Sequence, residues 1–206
     1  METHRATDTT RADISDLSVV MYRKTLSDIP EHPLPVGFAI RRYIAGDEER
    51  WLSIHEIADR NNTFNAGTFR RQFGTDSRLL ESRQFYLIAP DGRAIGTTTA
   101  WFKASLGRVH WVALLPAYQG RGLAKPLLSI ACKRLGVLGH NETYLATSTA
   151  RFPALCLYAT FGFRPGLPPS MRSNGELHRS PEEKEAWDTI WPAVRERISE
   201  RSTQRR

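Results

Sequence analysis

The stretch Val109–Ala124 reads as a buried strand that stops at Pro116, turns through Gly120 and Gly122, and opens a helix. The helix continues to about Leu138: Leu123, Leu127, Ala131 and Leu135 recur at four-residue steps, and Leu128 and Leu138 widen the apolar stripe. The first amides of a helix have no partner inside it. Glycines let a backbone approach a ligand without a Cβ in the way, and the helix start adds partial positive charge. Such a turn can cradle a phosphate with main-chain groups alone; its plainer reading is a tight strand-to-helix connection. It is neither a Walker A loop nor a G-x-G-x-x-G fingerprint, because the required Gly and Lys positions are missing.

The rest of the chain alternates strands and helices around this unit. Phe38–Tyr43 reads as a strand, and Gly46-Asp47 introduces a helix whose first turn carries Asp47, Glu48 and Glu49. A more polar helix follows over Ala66–Phe73, with a further turn near Leu79-Leu80. Phe85–Ala89 and Ala94–Phe102 flank Pro90-Asp91-Gly92-Arg93, which predicts an antiparallel hairpin. Thr143–Thr147 reads as a strand. Pro153 sits where a helix begins, Gly162 caps its end, and Phe163-Arg164 opens a last strand. Ser180-Pro181-Glu182-Glu183 is a helix-start signature, and Trp187, Ile190, Trp191 and Val194 give that helix one apolar face. The fold class is therefore mixed α/β. The expected domain plan is a flexible N-terminal arm over 1–36 with three prolines near its end, a folded domain over 37–167, and a C-terminal helical extension over 168–206. Within the arm, Ile14–Tyr22 is apolar enough to pack back as a strand.

Charge narrows the partners. The formal net charge is +7, and residues 37–167 hold 17 basic against 9 acidic side chains. An excess seated in the folded part steers anions toward it, either nucleic acid or a phosphorylated cofactor. No RNP-like aromatic motif or helix-turn-helix signal supports nucleic acid. Cys132 and Cys156 lie in apolar helical surroundings without a CxxC or Cys/His cluster, so they read as buried free thiols and no metal is expected. No apolar run approaches a membrane span, and the polar N-terminal residues do not form a signal peptide, so a cytoplasmic protein is expected.

Two blocks carry a family resemblance. Gln119-x-x-Gly122-x-Ala124 resembles the acetyl-CoA signature Q/R-x-x-G-x-G/A of GNAT (Gcn5-related) N-acetyltransferases. Ala154, Leu157, Tyr158, Gly162 and Phe163 resemble the family's later A-x-x-L-Y-x-x-x-G-F segment. The resemblance covers residues 37–167. It implies a mostly antiparallel sheet with helices on both faces, splayed fourth and fifth strands, and transfer of an acetyl group from acetyl-CoA to a primary amine within a ternary complex.

Carried over by position, the backbone amides of Gln119, Gly120, Arg121, Gly122, Leu123 and Ala124 would hold the pyrophosphate, with Arg121 and Lys125 adding charge. Val112 and Leu114 would bond the pantetheine arm, and the Leu114 amide would polarise the thioester carbonyl. Tyr158 would protonate the leaving thiolate. Arg151 stands where the family often has Asn and is a candidate phosphate contact. The family's early-strand Glu is Arg108 here. His110 would share a strand face with Val112 and Leu114 and is the candidate general base, with water as the alternative. The acceptor is a small-molecule or peptide amine, and Asn61, Asn62, Phe64 and Arg70 are candidates for its pocket. The alternatives are a non-catalytic acyl-CoA-binding module and a nucleic-acid-binding protein. The tryptophan-bearing C-terminal helix would dock on the core or form a homodimer interface.

Overall fold

The computed structural model describes residues 16–59, 62–168 and 180–203. They divide into two compact units. The larger is Tyr22–Leu145; the smaller joins the residues up to Met21 with those from Ala146 onward.

The strands of the larger unit are β2 (Ala39–Arg42), β3 (Gln84–Ile88), β4 (Ala94–Lys103) and β5 (Leu106–Leu114), followed by the start of β6 (Thr143–Ser148). β2–β3, β3–β4 and β4–β5 pair antiparallel, as the hairpin signal at Pro90–Arg93 predicts. β5–β6 is parallel and pairs at Gly107↔Thr143 and Arg108↔Tyr144. Helices cover both faces of this sheet. α1 (Glu48–Ala58), α2 (Ala66–Phe73) and α3 (Ser77–Arg83) precede β3, and α1, α2 and the segment joining them supply an aromatic layer of Trp51, Phe64, Phe69 and Phe73 over Tyr86 and Ala113. On the other face α4 (Ala124–Val137) packs Leu123 and Leu127 against Leu87, Ile95 and Leu114. Adjacent strand residues thus enter different cores, Tyr86 one and Leu87 the other, as the period of two requires.

Local chemistry fixes the helix starts. α2 begins with a capping box: the Asn65 side chain accepts from the Gly67 amide, and Thr68 Oγ1 accepts from the Asn65 amide. Asp47, expected only as first-turn charge, is instead a buried clasp. Arg41 grips its carboxylate at 2.5 and 2.8 Å, Arg50 reaches it at 2.9 Å, and the Ile44 amide donates at 2.8 Å. Burial raises its pKa, but the hydrogen bonds from Arg41 and the Ile44 amide outweigh it and hold the carboxyl below the ordinary aspartate range.

The smaller unit contains β1 (Ser18–Arg23, which runs into the larger unit), the remainder of β6, α5 (Phe152–Thr160), β7 (Arg164–Pro165) and α6 (Pro181–Thr203). α5 ends as Gly162 predicts: Gly162 has φ 77°, its amide donates to Ala159 O, and the Phe163 amide donates to Tyr158 O. α6 starts as predicted too, with the Glu183 amide bonded to Ser180 Oγ at 3.1 Å.

Three expectations change. The described part of the 1–36 arm belongs to the fold: β1 buries Val19 and Met21 completely, and in the larger unit Ser129 Oγ donates to Pro30 O at 2.6 Å. Residue 167 is not a structural divide, because α5 and α6 pack together within one unit. Of the apolar face of α6, Trp187, Ile190 and Val194 are at most 3% exposed within the chain itself and Trp191 is half-buried, so of the two expected roles the helix takes the docking one, against α5, and those three residues form no homodimer surface. Ile14 and the segment 169–179 lie outside the described residues. Among the described residues no helix is long and apolar enough to cross a membrane.

Candidate active site

β5 is irregular where the site residues sit. Thr97 pairs with Ala113 and Thr99 with His110, so Trp111 and Val112 together oppose the single Thr98. This is a β-bulge, and Trp111 takes φ 51°, an uncommon left-handed conformation for a tryptophan. The extra residue breaks the simple alternation. His110 now shares a face with Ala113, toward α1 and α2, whereas Leu114, paired with Gly96, faces Leu123 and Leu127 of α4. The expectation that His110 and Leu114 share a strand face is therefore corrected: two residues of β5 facing one of β4 exchange the faces beyond them.

The same bulge frees backbone. Val112 has no register partner on β4, and beyond Arg108 the opposite edge of β5 has no ladder partner among the described residues. The Leu115 amide donates to Ile95 O on β4, so strand alternation turns the Leu114 N–H to that unpaired edge. Gln119 Nε2 donates to the Leu114 carbonyl at 2.9 Å and anchors the following turn to the strand end.

Pro116–Tyr118 forms a single 3₁₀ turn, and Gly120 and Gly122 then take φ of 76° and 78°. A Cβ at either position would meet nothing within 4 Å, so glycine is required there by conformation, not by crowding. α4 starts at Ala124 without a side-chain cap. Among the described residues, the amides of Gly120, Arg121, Gly122, Leu123 and Ala124 donate to no backbone carbonyl outside regular helix and strand, and Gly120 to Gly122 are exposed. The amide of Gln119 differs from the expectation: it donates to Pro116 O at 3.1 Å and closes the 3₁₀ turn, so the available amides begin at Gly120. Arg121 lies over the Tyr118 ring at 5.2 Å, and the Lys125 amide bonds Gly122 O. The donor set, successive main-chain N–H groups at a helix start, fits a diphosphate.

His110 sits in a different setting from that of a poised base. Its Nε2 lies 3.2 Å from Gln72 Oε1, which also accepts from Trp111 Nε1 at 3.0 Å. Burial, with Arg108 and His55 nearby, pushes its pKa down to about 2. The neutral imidazole thus helps pin the bulge to α2. Around it runs a continuous cluster of rings in which Trp111 meets His55, Phe64 and Trp51 at 5.1–5.7 Å and Phe73 meets Trp101 at 5.3 Å. Of the acceptor-pocket candidates, Phe64 joins this cluster, Asn62 donates to Asp59 at the surface, Arg70 is exposed, and Asn61 lies outside the described residues.

In the smaller unit Tyr158 lies on α5, is 8% exposed, and meets the Phe163 ring edge-on at 6.2 Å. Arg151 is the N-cap residue of α5, and its carbonyl accepts from the Ala154 and Leu155 amides. Both cysteines are buried and unbridged, and burial pushes the Cys132 thiol up to about 12, which suits neither as a nucleophile. Sequence reasoning missed the bulge and Gln72. The single residue-level signal for the bulge was a row of β5 apolar residues too long for strict alternation.

A bulged strand with an open edge thus leads through a left-handed glycine turn into a helix start, the arrangement of an acyl-carrier transferase fold. Comparison with known proteins agrees. The chain belongs to the Acetyltransferase (GNAT) family, which it matches over residues 50–163. It is 30% identical over 152 residues to a mycothiol acetyltransferase of Pseudarthrobacter chlorophenolicus, covering 66% of this chain and 46% of that protein. It is 31% identical over 157 residues to a mycothiol acetyltransferase of Arthrobacter sp. strain FB24, covering 68% and 47%. The chain thus spans about half the length of the curated relatives it matches. Among solved structures, a GCN5-related N-acetyltransferase from Sphaerobacter thermophilus has the same fold (TM-score 0.63, 24% identity, 72% of this chain and 48% of that one). So does the ribosomal-protein-S18-alanine N-acetyltransferase of Escherichia coli (TM-score 0.54, 21% identity, 63% and 79%).

Proposed function

We propose that this chain transfers the acetyl group of acetyl-CoA to a primary amine by direct attack in a ternary complex. The observation that carries the reading is the run of amides without a backbone acceptor among the described residues, from Val112 and Leu114 on the β5 edge to Gly120–Ala124. That run matches a ligand with a peptide-like arm ending in a diphosphate. Acetyl-CoA supplies an activated thioester; the remaining roles fall to the chain. The Leu114 N–H stabilises charge on the thioester oxygen as the amine nitrogen bonds to the carbonyl carbon. As the carbon–sulfur bond breaks, Tyr158 gives its hydroxyl proton to the sulfur. The amine proton leaves through water, because the buried neutral His110 is too weak a base to take it. Arg121, Lys125 and Arg151 add positive charge for the phosphates.

The relatives named mycothiol acetyltransferase favour a small-molecule amine over a protein acceptor. The site lies in a chain without a membrane-length helix among its described residues, which suits a cytoplasmic enzyme. The test is titration calorimetry with coenzyme A and acetyl-CoA, followed by thiol release with a panel of amines. Binding with amine-dependent release supports the enzyme. Binding without turnover of any amine leaves an acyl-CoA-binding module, and no binding removes both readings.

A further inference from the structure

Resting on the acetyltransferase reading, we propose that Arg108 is the receptor for a carboxylate on the acceptor, so that the substrate is an amino acid or similar amine bearing both a carboxylate and an apolar or aromatic group. Arg108 stands on β5 directly opposite Trp101 of β4, on the face turned to α1 and α2. Its guanidinium lies over the Tyr144 ring at 5.6 Å, and its Nε is buried with no hydrogen-bond partner among the described residues. The residue is only half-buried, so the cation keeps one open side. Among the described residues no carboxylate forms an ion pair with it, and burial lowers its pKa, with Tyr144 opposing that shift. A partly desolvated guanidinium left without an anion is costly, and its planar fork matches the two oxygens of a carboxylate.

The neighbours specify the rest of the ligand. His110 on the same face is neutral and Gln72 is uncharged, so nothing there attracts an additional cation. Trp101 stands across the ladder from Arg108, and it joins Phe73 and Trp111 in the ring cluster on that face. Trp111 and Trp101 are both partly exposed, unlike Phe73 beneath them. An apolar or aromatic side group on these rings and a carboxylate on Arg108 would leave the amine directed along β5 toward Val112 and Leu114.

The experiment compares phenylalanine, phenylalaninamide and phenethylamine as acceptors for the wild-type chain and for Arg108→Gln and Arg108→Lys. Acetyl-CoA binding is measured in parallel. The expected result is a kcat/KM about 10- to 100-fold higher for phenylalanine than for the two analogues without a carboxylate. In Arg108→Gln that preference disappears through the acceptor KM, with acetyl-CoA affinity unchanged, and Arg108→Lys restores part of it. Tryptophan fluorescence during titration with phenylalanine and phenylalaninamide reports binding without turnover, so the wild-type comparison decides even where a variant fails to fold. Equal use and equal binding of all three, with acetyl-CoA still bound, overturns the proposal and leaves the acetyltransferase reading intact. Loss of acetyl-CoA binding by the wild type overturns the reading itself.

Discussion

Replacing Gly122 with alanine separates the anion-binding role of the turn from its contribution to stability. The new methyl group meets no atom within 4 Å, so steric repulsion contributes nothing. The cost comes from holding an L-residue at φ 78°, which is about 1–2 kcal/mol. For a chain of this size each kcal/mol lowers Tm by about 2–4 °C, so thermal unfolding should shift down by about 2–8 °C. Relaxation of that residue to negative φ turns at least one amide of the Gly120–Ala124 set away from the diphosphate. A hydrogen bond to a charged group is worth about 1.5–3 kcal/mol, so the Kd for acetyl-CoA should rise about 10- to 150-fold. Scanning calorimetry gives the first number and titration calorimetry the second. Unchanged acetyl-CoA affinity beside the expected drop in Tm would refute the cradle. A destabilisation well above about 2 kcal/mol would refute the assignment of the cost to backbone conformation alone.

Three further outcomes are expected. Asp47→Ala removes a fully buried carboxylate held by Arg41, Arg50 and the Ile44 amide; because both arginines reach water, the loss should lie near about 2–4 kcal/mol, read by urea denaturation, and one below about 1 kcal/mol contradicts the clasp. His110 has a folded pKa of about 2 against an ordinary 6.5, so the unfolded chain takes a proton that the folded chain refuses. Its contribution to stability is complete above pH 6.5 and declines as pH falls toward 2, by about 1.4 kcal/mol per pH unit. His110→Gln should flatten that acid slope and leave the pH profile of kcat/KM near neutrality unmoved; a lost inflection near pH 6–7 would restore the histidine as base. Tyr158→Phe should lower kcat by about 10²–10⁴-fold with little change in acetyl-CoA affinity, and full activity in single-turnover assays would remove the tyrosine from the chemistry.

Much of the site was legible because its signals are local. Gly120 and Gly122 announce a left-handed turn wherever they lie, Gly162 announces the end of α5, and Ser180 announces the start of α6. The spacing of Gln119, Gly122 and Ala124 reflects a loop that folds over six residues. Asp47 was legible only as first-turn charge, since the partner that buries it, Arg41, comes from a strand six residues away and from the other end of a turn. β1 was harder still: Val19 and Met21 alternate over too few residues to distinguish a buried strand from a loose arm.

By itself, then, the sequence determined the order of elements, the two faces of the helices and the glycine turn, all of which depend on interactions between residues close in the chain. Only the tertiary structure decided the register of β5 on β4. No glycine or proline marks Trp111, and its left-handed backbone exists because Thr97 and Thr99 fix the strand on either side while Gln72 of α2 holds the indole. That one-residue offset sets which side chains face the rings and which backbone groups are left free. It also leaves His110 neutral beneath α2, an environment that cannot be read from residues that meet only when the sheet is assembled.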